Sequence, residues 1–402
     1  MNVLVTTGYH FVRDAEGRVW TDYESVAYAF WQRYLDVFEG VRVIARTHPC
    51  ETAPEGWMPV TGPRVEVHPI PDFRSPLEMV RHRSHCRQTI MGTLDEAPAV
   101  ILRIPCLIGG IASRALTAAG HPFAAEVLGD PYDSFSPGAF QSRFRPFYRW
   151  WFTRQLREQC LEAMAASYVT ERFLQQRYPT REGVLSTNYS SIVLPTESLR
   201  PRPREYSGAS PPVRLVTVGT LATLYKAPRV LLDAVALCVR DGMQVELTLV
   251  GGGKHQPDLE QQAAGLGLDG HVRFLGQLPS SAAVRQELDR ADLFVLPSFQ
   301  EGLPRAMIEA MARALPAIGS TVGGIPELLP PEDMVPPGDA EMLARKIREV
   351  AANPQRLAQM SARNLEKART YDEPTLRARR NAYYEFVRDE TARWMKQQTN
   401  SA

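Results

Sequence analysis

Along the chain, short apolar runs alternate with longer stretches whose apolar residues recur every three to four positions. In the first half the runs are Val3-Leu4-Val5, Val41–Ala45, Val65–Ile70, Ala99–Leu102 and Phe123–Leu128, with helical spacing over Tyr23–Val37 and Pro76–Thr93. In the second half they are Val213–Val218, Val245–Val250, Val272–Leu275, Leu293–Leu296 and Ala317–Gly319. Each of these second-half runs is expected to lead into a helix of about a dozen residues. Apolar strands alternating with helices predict an α/β protein with mainly parallel sheets.

The stretch "TESLRPRPREYSGASPP" (Thr196–Pro212) breaks this rhythm, since it lacks apolar periodicity and has the composition of a linker. At 402 residues the chain is long for one core. Two α/β domains facing across a cleft are therefore expected, at 1–195 and 196–374, with a helical tail at 375–402 whose pattern suits either domain. Ligands of such folds lie at the carboxyl ends of the strands.

The most informative stretch is "FQEGLPRAMIEAMARALPAI" (Phe299–Ile318), with Glu301 in a turn and Glu309 eight residues later. A helix is expected to open at Pro304 and to stop at Pro316, with Met307, Ala310, Met311, Ala314 and Leu315 on its apolar face. Glu301 then lies beside the backbone N–H groups of the helix start, and Glu309 points away from the core. Two carboxylates flanking an anion-seeking helix terminus suit a sugar–diphosphate–ribose ligand, because each carboxylate accepts from two hydroxyls. Alone, Glu301 also reads as a helix-start acid and Glu309 as a partner of Arg305. Two neighbouring strand ends add weight. Val245–Val250 runs into Gly251-Gly252-Gly253 ahead of a helix opened by Pro257, and Val213–Val218 runs into Gly219-Thr220, with Lys226 available as a point charge for phosphate.

Charge and cysteine usage narrow the setting. Basic and acidic residues number 46 and 45, which argues against a nucleic-acid partner. The five cysteines are scattered without a CxxC pair, and the N-terminal "MNVLVTTGYHF" lacks the features of a signal peptide, so a cytoplasmic protein is expected. His82, His85 and Cys86 in "RHRSHCRQ" read as part of a basic helix face, and no metal site is expected. "FQSRFRPFYRWWFTRQLR" (Phe140–Arg157) interleaves aromatics with arginines. It reads either as a helix packed in the first domain or as a peripheral membrane contact at residues 140–157.

With these residues in view, the second half closely resembles the retaining glycosyltransferases of family 4, whose GT-B fold implies two Rossmann-like domains and a C-terminal helix, here 375–402, that crosses back to the N-terminal domain. The resemblance rests on "VTVGTLATLYKAPRVLLDAVA", "LTLVGGG", "HVRFLGQLP", "ADLFVLPSFQEGLPRAMIEAMARALPAIGSTVGGIPELL" and "DMVPPGD", in that order. It implies that Glu301, Gly302, Leu303 and Pro304 hold a donor sugar, that Glu309 takes the ribose hydroxyls, and that Gly219, Thr220, Lys226, Gly251 and Gly253 serve the diphosphate. The base is expected near the Gln277-Leu278 backbone. The family's arginine or serine after the first glycine is here Thr220. Its glycine-rich loop after the first strand shrinks to Thr7-Gly8-Tyr9-His10. Where many members carry a histidine, this chain reads "AAEVLGDPYDSF", which makes Asp130 the candidate catalytic partner of Glu301. Gly8, His10 and Arg103 are expected on the acceptor side. "ILRIPCLIGG" and "YVTERFLQQRYP" are similar to members from bacterial surface-polysaccharide clusters.

The implied activity is transfer of a sugar, with retention, from a UDP- or GDP-linked donor to a glycan or polyprenyl-linked acceptor, without a metal or other cofactor. A non-catalytic sugar-nucleotide-binding subunit and an epimerase of the same fold are the alternatives.

Overall fold

The computed structural model describes residues 1–137, 142–206 and 211–401, and the chain divides into two compact units. Met1–Gly129, Trp151–Tyr189 and Arg377–Ala402 form the first, and Asp130–Trp150 with Ser190–Leu376 form the second. The first unit carries strands β1 (Val3–Arg13), β2 (Val19–Thr21), β3 (Val41–Pro49), β4 (Met58–Pro59), β5 (Val65–Pro71), β6 (Ala99–Ile104), β7 (Ala124–Val127), β8 (Ala165–Tyr168) and β9 (Leu185–Asn188). The second carries β10 (Val213–Val218), β11 (Val245–Val250), β12 (Val272–Phe274), β13 (Leu293–Leu296), β14 (Ala317–Ser320) and β15 (Met334–Val335).

The second sheet is parallel throughout, in the order β12-β11-β10-β13-β14-β15. In the first unit β5, β3, β1, β6, β7, β8 and β9 pair in parallel in that order, and β2 and β4 add an antiparallel ribbon to the far end of β1. Both are doubly wound Rossmann-like sheets. The order reverses between β1 and β6 in one and between β10 and β13 in the other, and these reversal points are where such sheets bind ligands. Strands such as β6, β7, β13 and β14 are buried along their whole length, which is why they read as unbroken apolar runs.

The structure departs from the pattern where pairing or proline overrides periodicity. The first strand does not end in a loop at Thr7. It continues to Arg13 because Val12 and Arg13 pair with β2, and Thr7-Gly8-Tyr9 becomes a register irregularity inside the strand. Tyr23–Val37 breaks into the short turns Glu24–Val26, Tyr28–Trp31 and Gln32–Asp36, none with a side-chain cap. After β14 no helix of a dozen residues follows. Pro326, Pro330 and Pro331 limit the chain to two three-residue turns, Ile325–Glu327 and Pro331–Asp333. The helix after β13 spans only Arg305–Ala312. Pro304 caps it rather than opening it, and left-handed Ala314 ends it before Pro316.

The expected linker is also no free tether along its described part. The Arg204 guanidinium donates to the carbonyls of Leu288 (2.8 Å), Ala291 (2.5 Å) and Arg313 (2.9 Å), satisfying the ends of two helices of the second unit. Residues 207–210 lie outside the described residues.

The last helix, Glu373–Ser401, leaves the second unit and from Arg377 belongs to the first. Buried Glu126 on β7 receives Tyr384 Oη of this helix (3.1 Å), Tyr34 Oη (3.0 Å), Tyr189 Oη (2.9 Å) and Arg103 Nη1 (2.8 Å). Tyr383 Oη donates to Ala125 O at 2.8 Å, and the Tyr34 and Tyr384 rings stack at 4.7 Å. Burial, reinforced by the Glu126 carboxylate, pushes all three hydroxyls above their ordinary range, so they stay neutral donors. Arg103, expected on the acceptor side, is thus enclosed in this cluster, because β6 points it at Glu126 on the next strand.

Replacing Glu126 by Ala leaves a buried arginine and three hydroxyls without their acceptor. The expected cost is about 3–5 kcal/mol, against about 1 kcal/mol for Tyr384→Phe. Chemical denaturation of the full chain measures both, and equal stability of Glu126→Ala and the parent would remove the cluster from the forces holding the last helix.

Candidate functional site

The second sheet gathers its chemistry at the carboxyl ends of adjacent strands. Beyond β10 the chain runs Gly219–Ala227 to the helix Pro228–Arg240, and beyond β13 it runs Pro297–Pro304 to the helix Arg305–Ala312. Because β10 and β13 are neighbours, the two connections meet, and Phe299 N donates to Tyr225 O at 2.7 Å. Lys226 Nζ then lies 2.8 Å from Glu301 Oε1. Ser298 Oγ donates to the same oxygen at 2.7 Å, and Ser320 Oγ on β14 fixes Ser298 through its carbonyl at 2.6 Å.

This pair is buried at its carboxylate, with Glu301 only 6% exposed. Burial works against the Lys226 ammonium, but the Glu301 carboxylate and the Tyr225 hydroxyl outweigh it and hold the amine above its ordinary range. Lys226 is therefore a fixed positive charge at the sheet's reversal point. The alternative reading made Glu301 a helix-start acid. Its carboxylate is instead taken by Lys226 and Ser298, three residues ahead of the Pro304 cap.

Three glycines explain how the surrounding loops approach so closely. Gly323 has φ +55°, and a Cβ there would lie 1.9 Å from Glu301 O, while Gly324 N donates to Gly302 O at 2.7 Å. The "GGIPE" segment after β14 is thus the clamp on the Glu301-Gly302 turn. Gly251 has φ +128°, and its Cβ would fall 2.0 Å from Gly219 O; one on Gly253 would fall 2.0 Å from Ala222 N. These glycines let the turn after β11 pack against the turn after β10. Gly251 N also donates to Gly276 O at 2.8 Å, which brings in the Gly276–Leu278 turn after β12. Thr220 is exposed and its Oγ1 accepts from Ala222 N at 3.1 Å. Leu303 and Pro304 are buried, and Gly302, Leu278 and Glu309 are half-buried, Glu309 among buried Met307, Ile308, Ala310 and Met311 on its helix.

The residues assigned to this site are therefore brought to one end of one sheet. Ser298, Ser320, Tyr225 and Gly323 join them and were not singled out from the sequence. The two serines, polar residues bounding otherwise apolar strands, are the signal that was available.

In the first unit the reversal point lies between β1 and β6. Gly8 is close enough to the β6 exit that a Cβ would sit 3.0 Å from Cys106 Cβ, and Arg46 holds Gly8 O with one nitrogen and Phe73 O with another at 2.7 Å. His10 Nδ1 lies 2.5 Å from Asp72 Oδ1, and His48 and Arg74 stand 4.0 and 3.8 Å from that carboxylate. Burial, and then the Arg46 charge, lower the His10 pKa despite Asp72. Arg46 and His48 on β3 and Asp72 just beyond β5 were not anticipated, because they meet His10 and Gly8 of β1 only through strand order.

Asp130 is fully buried and caps the short helix Pro131–Ser134, accepting from Tyr132 N at 2.8 Å. Of the aromatic–arginine stretch, Phe140 and Gln141 lie outside the described residues, and Arg145–Glu162 is a helix. Cys86 turns inward from the basic helix face, and burial pushes its thiol up to about 11. Among the described residues one set of potential metal ligands converges, Glu66, His68 and Glu96, and Arg42 already pairs with its carboxylates at 3.5 and 3.1 Å. No helix among the described residues is long and apolar enough to cross a membrane.

Residues 212–353 match the family described as "Glycosyl transferases group 1". Protein CapJ of Staphylococcus aureus is 23% identical over 343 residues, covering 84% of each chain. The amylovoran biosynthesis glycosyltransferase AmsK of Erwinia amylovora is 34% identical over 142 residues, 33% of this chain and 34% of AmsK. The crystal structure of Anabaena HepE shares the fold, with a TM-score of 0.63 at 17% identity over 94% of this chain and 98% of HepE. The matched segment begins just before β10 and takes in the Lys226–Glu301 pair and its glycine clamp: residues 212–353 are a group 1 glycosyltransferase domain, carried on a chain with the GT-B fold.

Proposed function

We propose that this protein is a retaining glycosyltransferase of bacterial polysaccharide biosynthesis, moving a sugar from a UDP- or GDP-linked donor to a glycan or lipid-linked acceptor. One observation carries the reading: Lys226 and Glu301 converge at 2.8 Å where the second sheet reverses its order. A cation suited to a diphosphate and a carboxylate suited to sugar hydroxyls, at the position where doubly wound sheets bind nucleotides, support the reading. HepE, which shares the fold, has been crystallised with UDP and with UDP-glucose.

In this reading Lys226 and the backbone N–H groups of Gly302 and Leu303 stabilise the departing diphosphate. Glu301 orients the donor sugar, and Glu309 accepts from the ribose hydroxyls. Retention follows from attack on the same face as the leaving group, with the diphosphate oxygen taking the acceptor's proton as the new glycosidic bond forms. The protein supplies placement and charge rather than a nucleophile. The positive charge comes from the chain itself, so activity unchanged by EDTA is expected. His10, beside Asp72, stands on the acceptor side, and the helix over 145–157 supplies a peripheral membrane contact.

A thermal-shift series with UDP, GDP, ADP and CMP tests the donor site. A ligand at about 100 times its dissociation constant adds roughly 2.7 kcal/mol to native stability. A rise with UDP or GDP that EDTA leaves in place is expected, and no rise with either nucleotide would overturn the reading. Glu301→Gln, which keeps the side chain's shape but leaves Lys226 without its counter-charge, should abolish transfer and also lower stability in chemical denaturation; undiminished transfer would remove Glu301 from its assigned role. Glu309→Ala should weaken nucleoside-diphosphate binding by roughly 1–3 kcal/mol, the cost of unpaired hydroxyls; a dissociation constant that does not move takes Glu309 out of the site.

A further inference from the structure

The helix Pro76–Thr93 in the first unit turns Met79, Cys86 and Ile90 to the core. Its opposite face carries Leu77, 73% exposed, and Val80, 61% exposed, the two most exposed large hydrophobic side chains among the described residues. Arg81, Arg83, His85 and Arg87 are exposed along the same helix, and Arg74 precedes it at 79% exposure. Glu78 is the acid of this turn, and its carboxylate is occupied by Arg74 N at 2.9 Å. Basic and acidic residues balance at 46 to 45 over the whole chain, so this concentration of arginine is local.

Single exposed aliphatics are ordinary. Two within one turn, ringed by arginines on a helix end, have the chemistry of a surface that inserts apolar side chains below a layer of negative headgroups. A nucleic acid would find charge here but no use for Leu77 and Val80. The position adds a reason. The helix begins four residues after β5, just past Asp72, which holds His10 at 2.5 Å. The aliphatic end of the helix therefore adjoins the carboxyl edge of the first sheet.

We infer that the outward face of this helix, Leu77 and Val80 with Arg74, Arg81 and Arg87, docks on an anionic phospholipid surface and brings the His10–Asp72 edge to it. The inference rests on the acceptor-side reading only for its purpose; the docking itself requires neither nucleotide nor sugar. It is also separate from the contact proposed for 145–157.

The test is co-sedimentation of the full chain with vesicles of phosphatidylcholine alone and of phosphatidylcholine mixed with phosphatidylglycerol, without donor or acceptor. Binding to the mixed vesicles, weakened by salt and absent on phosphatidylcholine, is expected. Leu77→Glu with Val80→Glu should lower the partition coefficient by roughly tenfold or more. Arg81→Gln and Arg87→Gln should each lower it about fivefold. These side chains are exposed, so unchanged thermal unfolding is expected and serves as the control for folding. Equal binding by the Leu77/Val80 variant and the parent, or no binding of the parent to either vesicle, would overturn the inference. So would loss of binding with Trp150→Glu alone while the Leu77/Val80 variant binds normally, which would assign the membrane contact to the other helix. Because turnover is not read, failure here leaves the transferase reading standing, and failure of the donor screen leaves this one standing.

Discussion

A lysine and a glutamate from loops 75 residues apart meet at 2.8 Å over the carboxyl end of the second sheet, and the local structure is arranged around that meeting. Neither charge is tolerable alone where it sits, since an unpaired buried ion costs several kcal/mol. Together they neutralise each other, and Ser298 takes up a further part of the carboxylate's hydrogen-bonding capacity. The constraint spreads outward: Ser320 fixes Ser298, Gly323 must be glycine to pass the Glu301 carbonyl, and Gly251 must be glycine to pass Gly219. A site with its charges already in place needs little rearrangement to stabilise charge that develops on a bound phosphate.

The first unit uses the same physics for a different end. Glu126 is as deeply buried as Glu301, and its oxygens are met by Arg103 and three tyrosine hydroxyls. That cluster binds β6, β7, the Tyr34 turn, Tyr189 and the last helix into one core. The two buried carboxylates differ in setting. Glu126 faces elements packed on every side of it, whereas Glu301 lies at a strand end whose neighbouring turns are glycine-rich. In burial and charge pairing the two acids are alike; their positions on the sheet differ.

Much of this was legible from residue order. The five main strands of the second sheet lie where the apolar runs placed them: β13 and β14 are buried along their whole length, and β10, β11 and β12 keep enough apolar positions between Arg214, Glu246 and Arg273 to stand out. The helix Pro76–Thr93 was equally readable, as proline at its start and periodic apolar residues coincide. What was not legible were the short strands β8, β9 and β15, whose few residues, such as Leu185–Asn188, carry no period. The extension of β1 past Gly8 was also hidden, because its partners Val19 and Trp20 stabilise it from across a turn. Arg103 shows the limit for single residues: nothing along β6 distinguishes an arginine that faces a ligand from one that faces Glu126.

Residue order alone was enough to read the alternation of strands and helices, the two α/β halves and the short glycine- and proline-containing motifs at the strand ends. These follow from local periodicity and turn stereochemistry, which act over a few residues. Which of the motifs stand together was settled by the packing of the sheets. Sheet order made β10 and β13 neighbours and so joined Lys226 to Glu301, and it set Asp72 against His10 across three strands. It also enclosed Arg103 with Glu126. Contacts between distant segments depend on strand order and loop path, and no window of sequence contains both partners.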